Sequence, residues 1–442
     1  MKSKNTSVSK SKNVVHKKTA TQKKKTSSVA QYPPRVSEHR IVTIEGLQQL
    51  EQGQTITQFI QNLPSGQRAA VQHFLLGIMR WRGSLDAVIS QFVDKKPKPI
   101  IMQILRLGAF ELHFSQTAEH AALDQCVELC KHFGKTEVSG FVNAVLRKIQ
   151  TATIDKNPML NLPMWLQERW KEKTQWVASL QESSRTYLSF ANAASKKAYP
   201  IELNRCIVDG TEIENMGYAE ELVGSVNLWP QYEEGTWSVM NPASALVVDK
   251  TWECMGKPVA CTVLDMCAAP GGKSIRLHHY GATVLATDSS NSRLQTMVQN
   301  CKRLQITMPI QQCDWRIEEP KFGKFQLVLL DAPCTGTGVI RKHPEIKWKR
   351  TMEDVLANQI IQMRLLSTAV QYVEEKGYIA YAVCSILEEE GQEVISYFLE
   401  NHPEFTLEHT WCSITNASGI ENASVLQARI DGFQLFVLRK IS

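Results

Sequence analysis

The sequence predicts an α/β protein in which a parallel-sheet domain follows an all-α domain and a small mixed connecting domain. Apolar residues recur at helical spacing from about residue 37 to residue 150, without strand signals. From about residue 236, apolar strands alternate with helical segments, which is typical of a parallel sheet covered by helices. Two of these strands lead into cysteines, Cys334 and Cys384, at the edge where such sheets bind ligands.

The first 36 residues predict a disordered basic arm. Residues 1–35 contain nine lysines and one arginine, no acidic residue and too little apolar surface to form a core. Such a segment either contacts RNA phosphates or serves as a solubilising tail, and its composition leaves both readings open. Of the 50 basic residues, 40 lie beyond residue 35 against all 44 acidic residues, so the rest of the chain is slightly acidic.

Hydropathy and cysteine usage predict a cytoplasmic protein. No apolar run approaches the roughly 18 residues that a membrane helix needs, and the start of the chain does not resemble a signal peptide. The 11 cysteines include no C-x-x-C pair, which favours reduced thiols over a disulfide framework or a zinc site. We therefore expect a protein that binds neither a metal nor a membrane. We also expect a monomer.

Residues 37–150 predict a helical bundle that contributes to RNA binding. The periodicity predicts helices at Ala69 to Trp81, Ile100 to Phe114, His120 to Gly134 and Val138 to Gln150. Basic residues on these segments form either an RNA-facing patch or a solvated helical face: Arg80, Arg82, Lys135, Arg147 and Lys148.

Residues 151–235 and 236–442 predict the connecting domain and the sheet domain. The connecting domain is expected to contain strands at Tyr199 to Asp209 and Val223 to Pro230. The sheet domain is expected to contain strands at Ala260 to Met266, Ala282 to Asp288, Gln326 to Pro333, Gly377 to Cys384 and Gly432 to Lys440. Its predicted helices cover Asn291 to Leu304 and Met352 to Glu375.

The segment CAAPGGKS, Cys267 to Ser274, follows the first predicted strand of the sheet domain. It differs from a phosphate-binding P-loop because Cys267 stands where that motif requires glycine, and Pro270 removes a backbone donor. An adenosine ligand without phosphates fits better, since Asp288 ends the second strand, 16 residues past Gly272, where an acid meets ribose hydroxyls. S-adenosylmethionine satisfies these requirements.

Two further acids follow later strands of the same predicted sheet. Asp314 is placed to reach the adenine edge, and Asp331 lies where the methyl donor would meet its acceptor. The alternative is that each acid caps a helix. The next segment, Ile340 to Arg350, is strongly basic, and it reads either as a set of RNA phosphate contacts or as a solvated turn. Its basic residues are Arg341, Lys342, Lys347, Lys349 and Arg350.

With these motifs in place, the chain resembles the RNA cytosine-5 methyltransferases of the NOL1/NOP2/Sun group, and within it the bacterial 16S rRNA methyltransferase B (Sun/Fmu) family. The resemblance is carried by DMCAAPGGK, LLDAPCTGTGVIRKHPEIKW and YAVCS, and by HAALDQCVELCKHFGKTEVSGFVNAVLRK in the helical domain. It implies a Rossmann-like class I methyltransferase domain with an amino-terminal NusB-like domain. The implied reaction is methylation of carbon 5 of a cytosine in 16S rRNA, at rRNA position 967, before full subunit assembly.

The resemblance also implies residue roles. Cys384 would be the nucleophile and Cys334 would assist product release, while Lys273 and Asp331 would orient the cytosine. The implied cofactor contacts are Cys267, Ala268, Ala269, Pro270, Gly271, Gly272, Lys273, Asp288, Asp314 and Asp331. The chain departs from the family pattern at VMNPAS (Val239 to Ser244), SILEEEG (Ser385 to Gly391) and DGFQ (Asp431 to Gln434).

Three alternatives stay open from the sequence. DNA cytosine methyltransferases attack with the cysteine of a Pro-Cys motif, which would make Cys334 the nucleophile. The same chemistry could act on tRNA or on another rRNA site. A non-catalytic, RNA-binding ribosome assembly factor could carry the same domains, although Cys334, Cys384, Asp331 and Lys273 together favour an enzyme.

Overall fold

A computed structural model of the chain describes residues 36–208, 211–414 and 429–441. The predicted arm lies outside these ranges up to residue 35, and Val36 is buried in the core of the helical region. Within the described ranges, no helix is both long and apolar enough to cross a membrane.

The helical region contains the predicted bundle and two additional helices near its start. The helices are α1 (Glu38–Glu51), α2 (Ile56–Gln61), α3 (Ser65–Ser90), α4 (Pro99–Phe114), α5 (Glu119–His132) and α6 (Ser139–Thr151). Their apolar stripes meet in one core around α4, in which Ile104, Leu105 and Leu107 are fully buried. The sequence-based prediction of an all-α region is confirmed.

The connecting region forms a small antiparallel sheet with short helices. Its elements are α7 (Met164–Arg169), α8 (Thr174–Ser179), β1 (Leu188–Phe190), α9 (Ala193–Lys197), β2 (Asn204–Val208), β3 (Thr211–Tyr218) and β4 (Trp237–Val239). The strand order is β2-β3-β1-β4. Residue Asp209 of the predicted strand Tyr199 to Asp209 lies outside the described residues.

The predicted strand Val223 to Pro230 is wrong. The chain forms a 3₁₀ turn at Val226–Leu228 instead. Gly224 adopts φ +83°, which breaks the extended backbone, and the indole of Trp229 donates a hydrogen bond to the Val223 carbonyl at 3.1 Å. This local bond closes the segment on itself, so its backbone is not paired in the sheet.

The sheet region is a seven-stranded Rossmann-like sheet with helices on both faces. Its elements are α10 (Pro242–Cys254), β5 (Cys261–Asp265), α11 (Gly272–His279), β6 (Ala282–Asp288), α12 (Asn291–Arg303), β7 (Ile310–Gln312), β8 (Phe325–Asp331), α13 (Ile346–Lys349), α14 (Met352–Ala369), β9 (Val373–Val383), α15 (Gln392–Asn401), β10 (Phe405–Cys412) and β11 (Gln434–Lys440). The order is β10-β11-β9-β8-β5-β6-β7, and β11 is antiparallel to both neighbours. The five predicted strands are present, and β7 and β10 are additional.

Helix α14 ends earlier than the sequence predicted. The predicted helix ran to Glu375, but the chain leaves the helix after Ala369 through a 3₁₀ turn, and β9 begins at Val373. Val373 is fully buried and lies opposite Phe325 of β8. Strand pairing therefore overrides the helical preference of the preceding residues.

Residues 340–350, called here the joint segment, connect the sheet region to the helical region. The ammonium group of Lys347 donates to the Arg80 carbonyl at 2.9 Å, and the Trp348 indole donates to the Met79 carbonyl at 2.8 Å. The guanidinium of Arg80 donates in return to the Arg341 carbonyl at 3.0 Å. The two regions are thus fixed to each other by hydrogen bonds that lie beside a shared apolar core.

The burial of two basic residues of this segment, Arg341 and Lys347, shows that these two do not contact RNA phosphates. Arg341 and Lys347 are 1% and 0% exposed. Arg341 donates to the carbonyls of Ser179 and Ile430, at 3.1 and 3.0 Å. Buried basic side chains that donate to backbone carbonyls do not contact phosphates. The same holds for Arg80 of the predicted helical patch.

Candidate active site

Cys334 and Cys384 lie side by side at the carboxyl edge of the sheet. Strands β8 and β9 are parallel neighbours, with Asp331 opposite Ala382, so each cysteine follows its strand at the same edge. The two sulfur atoms are 3.3 Å apart, and both thiols are reduced and partly buried. The expected convergence of the two thiols is therefore present in the fold.

The loops that carry the two cysteines are bonded to each other. The backbone N–H of Gly338 donates to the Cys384 carbonyl at 3.0 Å, and the hydroxyls of Thr337 and Ser385 are 2.9 Å apart. The amide of Gln434 donates to the Ser385 and Leu387 carbonyls, both at 3.0 Å. These contacts fix the backbone next to Cys384 and make it a rigid place for a reactive group.

Lys273 and Asp331 form a partly buried ion pair beside the thiols. The Lys273 ammonium donates to Asp331 Oδ2 at 2.6 Å and lies 5.0 Å from the centre of the Phe433 ring. Lys273 is 7% exposed, while the side chain of Asp331 keeps 29% of its surface accessible. The pair therefore offers a charged, pre-oriented carboxylate to a ligand.

The glycine turn after β5 leads directly into α11. Gly271 has φ +103°, in the left-handed region, and a Cβ there would lie 2.8 Å from Met297 Cγ. The N–H of Ala269 donates to Asp288 Oδ2 at 3.2 Å. The turn after β5 and the acid at the end of β6 are thus held together by a hydrogen bond.

Two cavities meet at Cys384. A cavity of about 480 Å³ reaches from Cys334 and Cys384 past Asp331 to Asp288 and Asp314. Another, of about 430 Å³, contains Lys273, Asn241, Asp431 and Phe433. Residues that line both cavities are Cys267, Ala269, Asp331 and Cys384; Ala268, Pro270 and Gly272 line the second. This arrangement can hold two ligands that meet at Cys384.

The larger cavity has the size and the acceptors that an adenosine-containing cofactor needs. Asp288 is 1% exposed, and its Oδ1 accepts from the Ser290 N–H and the Arg293 guanidinium, both at 2.8 Å. Asp314 forms a two-pronged pair with Arg316, whose hydrogen bonds lower the pKa of Asp314. Asp314 therefore stays ionised, and the carboxylate oxygens of both acids are acceptors for ribose hydroxyls or an amino group.

The local environment disfavours ionisation of two cysteines of the site, Cys334 and Cys267. The hydrogen bond to Cys384, burial and the charges of Cys384 and Glu390 all raise the pKa of Cys334 well above its usual value. Cys267 also has a raised pKa, because it is buried and lies near Asp288. Cys334 and Cys267 are therefore protonated at neutral pH.

Two buried acids of this site, Asp265 and Glu390, are not among the residues predicted from the sequence. Asp265, at the end of β5, accepts from the Ser274 hydroxyl at 2.6 Å, while burial raises its pKa to about 7. Glu390 is fully buried and bonds the residue that follows Cys334. A signal for each was present, since Asp265 lies two residues before Cys267 and Glu390 ends a run of three glutamates after a strand.

Comparisons with known proteins identify the family of this chain. Residues 258–434 match the family model of the 16S rRNA methyltransferase RsmB/F, and residues 37–151 match the NusB family. The small-subunit rRNA methyltransferases B of Yersinia pseudotuberculosis and Yersinia pestis are 30% identical over 413 residues, 85% of this chain and 92% of theirs. The solved structure of PH0851 has a TM-score of 0.68 and 22% identity, and the alignment covers 92% of this chain and 99% of that one, which shows the shared fold. The chain belongs to the 16S rRNA methyltransferase RsmB/F family, whose methyl donor is S-adenosylmethionine.

Proposed function

We propose that this protein methylates carbon 5 of a cytosine in small-subunit rRNA through a covalent adduct with Cys384. The observation that carries the proposal is the 3.3 Å separation of two reduced thiols where two cavities meet. The larger cavity would hold S-adenosylmethionine through Asp288 and Asp314, and the smaller one would hold the target base. S-adenosylmethionine supplies an electrophilic methyl group.

Cys384 is the proposed nucleophile because carbon 5 of cytosine is too electron-poor to accept a methyl group unaided. A thiolate that adds to carbon 6 forms a sulfur–carbon bond and shifts the electron pair of the 5,6 double bond towards carbon 5. Cys384 lines both cavities, whereas Cys334 lines the larger one. Cys384 is thus the thiol within reach of a base in the smaller cavity.

Asp331 and Lys273 would hold the ring during this step. The accessible carboxylate of Asp331 accepts hydrogen bonds from the exocyclic amine of cytosine, while Lys273 neutralises charge that develops on the ring. Because Lys273 already fixes Asp331, little reorganisation is needed when the base enters.

Cys334 would take the proton that must leave carbon 5 after methyl transfer, directly or through water. Its pKa is raised mainly by contact with Cys384, and this contact loses its charge once the Cys384 sulfur is bonded to carbon 6. The pKa of Cys334 then falls, and its thiol proton leaves through the larger cavity. Removal of the carbon 5 proton restores the double bond, and the sulfur–carbon bond breaks to release Cys384 as thiolate.

The target base must be unpaired or turned out of its stack, since attack requires access to the face of the ring. This costs a few kcal/mol, which phosphate contacts can offset. Arg147 and Lys148 on α6 are exposed and stay candidates for those contacts. Small-subunit rRNA is favoured over tRNA because the Yersinia relatives are named for that substrate. We expect the reaction to take place in the cytoplasm.

Replacement of each cysteine by alanine tests the proposal. With undermodified small-subunit RNA and labelled S-adenosylmethionine, Cys384→Ala should lose methylation and adduct formation together. Cys334→Ala should accumulate a covalent RNA–protein complex that survives denaturing gel electrophoresis. Cys254→Ala, a partly buried cysteine that lines neither cavity, is the matched control and should behave as wild type.

Two outcomes contradict the proposal. Trapping by Cys384→Ala rather than Cys334→Ala would make Cys334 the nucleophile. Wild-type protein that binds the RNA without labelling it would favour a ribosome assembly factor. Bisulfite sequencing of rRNA from cells with and without the gene identifies the target cytosine. If label appears in tRNA alone, the substrate is tRNA rather than rRNA.

A further inference from the structure

The residue after Cys334 is held by a fully buried carboxylate. Glu390 Oε1 accepts from the backbone N–H of Thr335 at 2.7 Å, and Oε2 accepts from the Thr335 hydroxyl. The amide of Gln362 also donates to Oε1 at 3.3 Å. Glu390 is itself anchored to the sheet, since the Tyr381 hydroxyl donates to its carbonyl at 2.7 Å. The carboxylate that bonds Thr335 is therefore held in a fixed position.

The other peptide groups around Cys334 are also held by side chains. The Gln362 amide donates to the Pro333 carbonyl at 2.9 Å, and the Arg350 guanidinium donates to the Thr335 carbonyl at 3.2 Å. Backbone atoms on both sides of Cys334 are thus bonded to side chains from other elements. With the backbone fixed at both neighbours, the direction of the Cα–Cβ bond of Cys334 is fixed as well, which limits where its sulfur can lie.

The charge of Glu390 calls for an explanation. Its partners in the described part of the chain are neutral donors, Thr335 and Gln362, rather than a lysine or arginine. Burial of an ion without a counter-ion costs stability, and a glutamine could make similar contacts without that cost. A buried charge at this place indicates an effect on the thiols next to it.

We propose that Glu390 is the positioning residue for Cys334: it holds Thr335 so that the Cys334 sulfur faces Cys384 and can complete product release. This inference rests on the proposed function of Cys334. The charge of Glu390 also contributes to the raised pKa of Cys334, after the larger effects of Cys384 and burial. Glu390 thereby helps to keep Cys334 protonated while Cys384 attacks.

Single-turnover kinetics with the full chain, S-adenosylmethionine and undermodified small-subunit RNA test this role. Two readouts are needed: label transferred to RNA, and decay of the denaturant-stable RNA–protein complex. For Glu390→Ala we expect label transfer near the wild-type rate but release slowed by roughly 10²-fold, the cost of a misplaced catalytic group. Thr335→Val, which removes the hydroxyl contact alone, should slow release by a smaller factor.

The conservative variant separates position from charge. Glu390→Gln keeps an acceptor for the Thr335 N–H but removes the charge, so it should restore most of the release rate. Release needs the Cys334 thiolate, and loss of a nearby negative charge lowers the pKa of that thiol. The pH profile of release should therefore move to lower pH. A purely structural role would not move it.

Glu389→Gln is the matched control, because Glu389 lies in the same turn but pairs with Arg169 at 2.5 Å. It should leave transfer and release unchanged. The inference would be overturned if Glu390→Ala released the RNA at the wild-type rate. It would also be overturned if Glu390→Ala and Glu389→Gln lost methyl transfer and release to the same extent. If Glu390→Ala does not fold, an unshifted profile for Glu390→Gln with unchanged release by Thr335→Val overturns it. Cys334→Ala in the same assay distinguishes failure of this inference from failure of the proposed function. If Cys334→Ala traps no covalent complex, the proposed function itself is refuted.

Discussion

Replacement of Asp265 by asparagine tests the electrostatics of the site through protein stability. Asp265 is 0% exposed and lies at the carboxyl end of β5, with one oxygen bonded to Ser274 and the other without a partner. Burial, more than the neighbouring acids Asp331 and Asp288, raises its pKa from 3.8 to about 7. Between these two values the folded protein keeps a proton that the unfolded chain has lost.

The sign and the size of the effect follow from this difference. An acid with a raised pKa makes the free energy of unfolding fall as pH rises, because the unfolded state binds fewer protons. The shift of about three pKa units corresponds to roughly 4 kcal/mol over the whole range, at about 1.4 kcal/mol per unit. Between pH 5 and pH 8, the contribution of Asp265 is about 2–3 kcal/mol.

Urea unfolding of wild type and Asp265→Asn at pH 5 and pH 8 measures this contribution. The change in the free energy of unfolding between the two pH values is compared for the two proteins. Asparagine cannot ionise, so the variant should lose less stability than wild type between these two pH values. Ser274→Ala provides a second check, since it removes a hydrogen bond that lowers the pKa of Asp265. In that variant the loss of stability should continue to a higher pH than in wild type. Parallel pH dependences for wild type and Asp265→Asn would refute the reasoning.

The remaining predictions concern the glycine turn, the joint segment and the cofactor acid. Gly271→Ala should lower the urea midpoint by the equivalent of at least about 1 kcal/mol, since φ +103° disfavours alanine and Met297 must move. Trp348→Ala should destabilise the protein by about 3 kcal/mol and speed proteolysis at the joint; Val259→Ala, at a side chain 95% exposed, should do neither. Asp288→Asn should weaken S-adenosylmethionine binding about tenfold or more by calorimetry, because an acceptor becomes a donor. Unchanged affinity would remove Asp288 from the cofactor site.

The meeting of the two thiols could be predicted because it depends on local pattern and one general rule. Apolar runs marked the strands before Cys334 and Cys384, and parallel strands present their carboxyl ends at one edge. The rule does not say which strands are neighbours. The 3.3 Å distance arises because β8 and β9 lie next to each other, which is a property of the tertiary fold.

The partners of charged residues could not be predicted, because they lie far away in the sequence. Lys347 bonds a carbonyl 267 residues upstream, and Glu390 bonds a residue 55 positions upstream. A basic run looks the same whether it faces solvent or a neighbouring domain, so Arg341 and Lys347 were read as exposed. The sequence shows which residues are charged, but their burial in the fold determines whether they contact solvent, a ligand or a neighbouring domain.

The joint segment limits how this protein can be divided or recombined. A fragment that begins after the helical region would expose Trp348 and leave the ammonium group of Lys347 without the carbonyl that holds it. If the helical region were exchanged for that of a relative, the backbone carbonyls at the positions of Met79 and Arg80 would have to lie in the same places. The two regions should therefore be expressed, truncated and exchanged as one piece, with residues 340–350 kept together with α3.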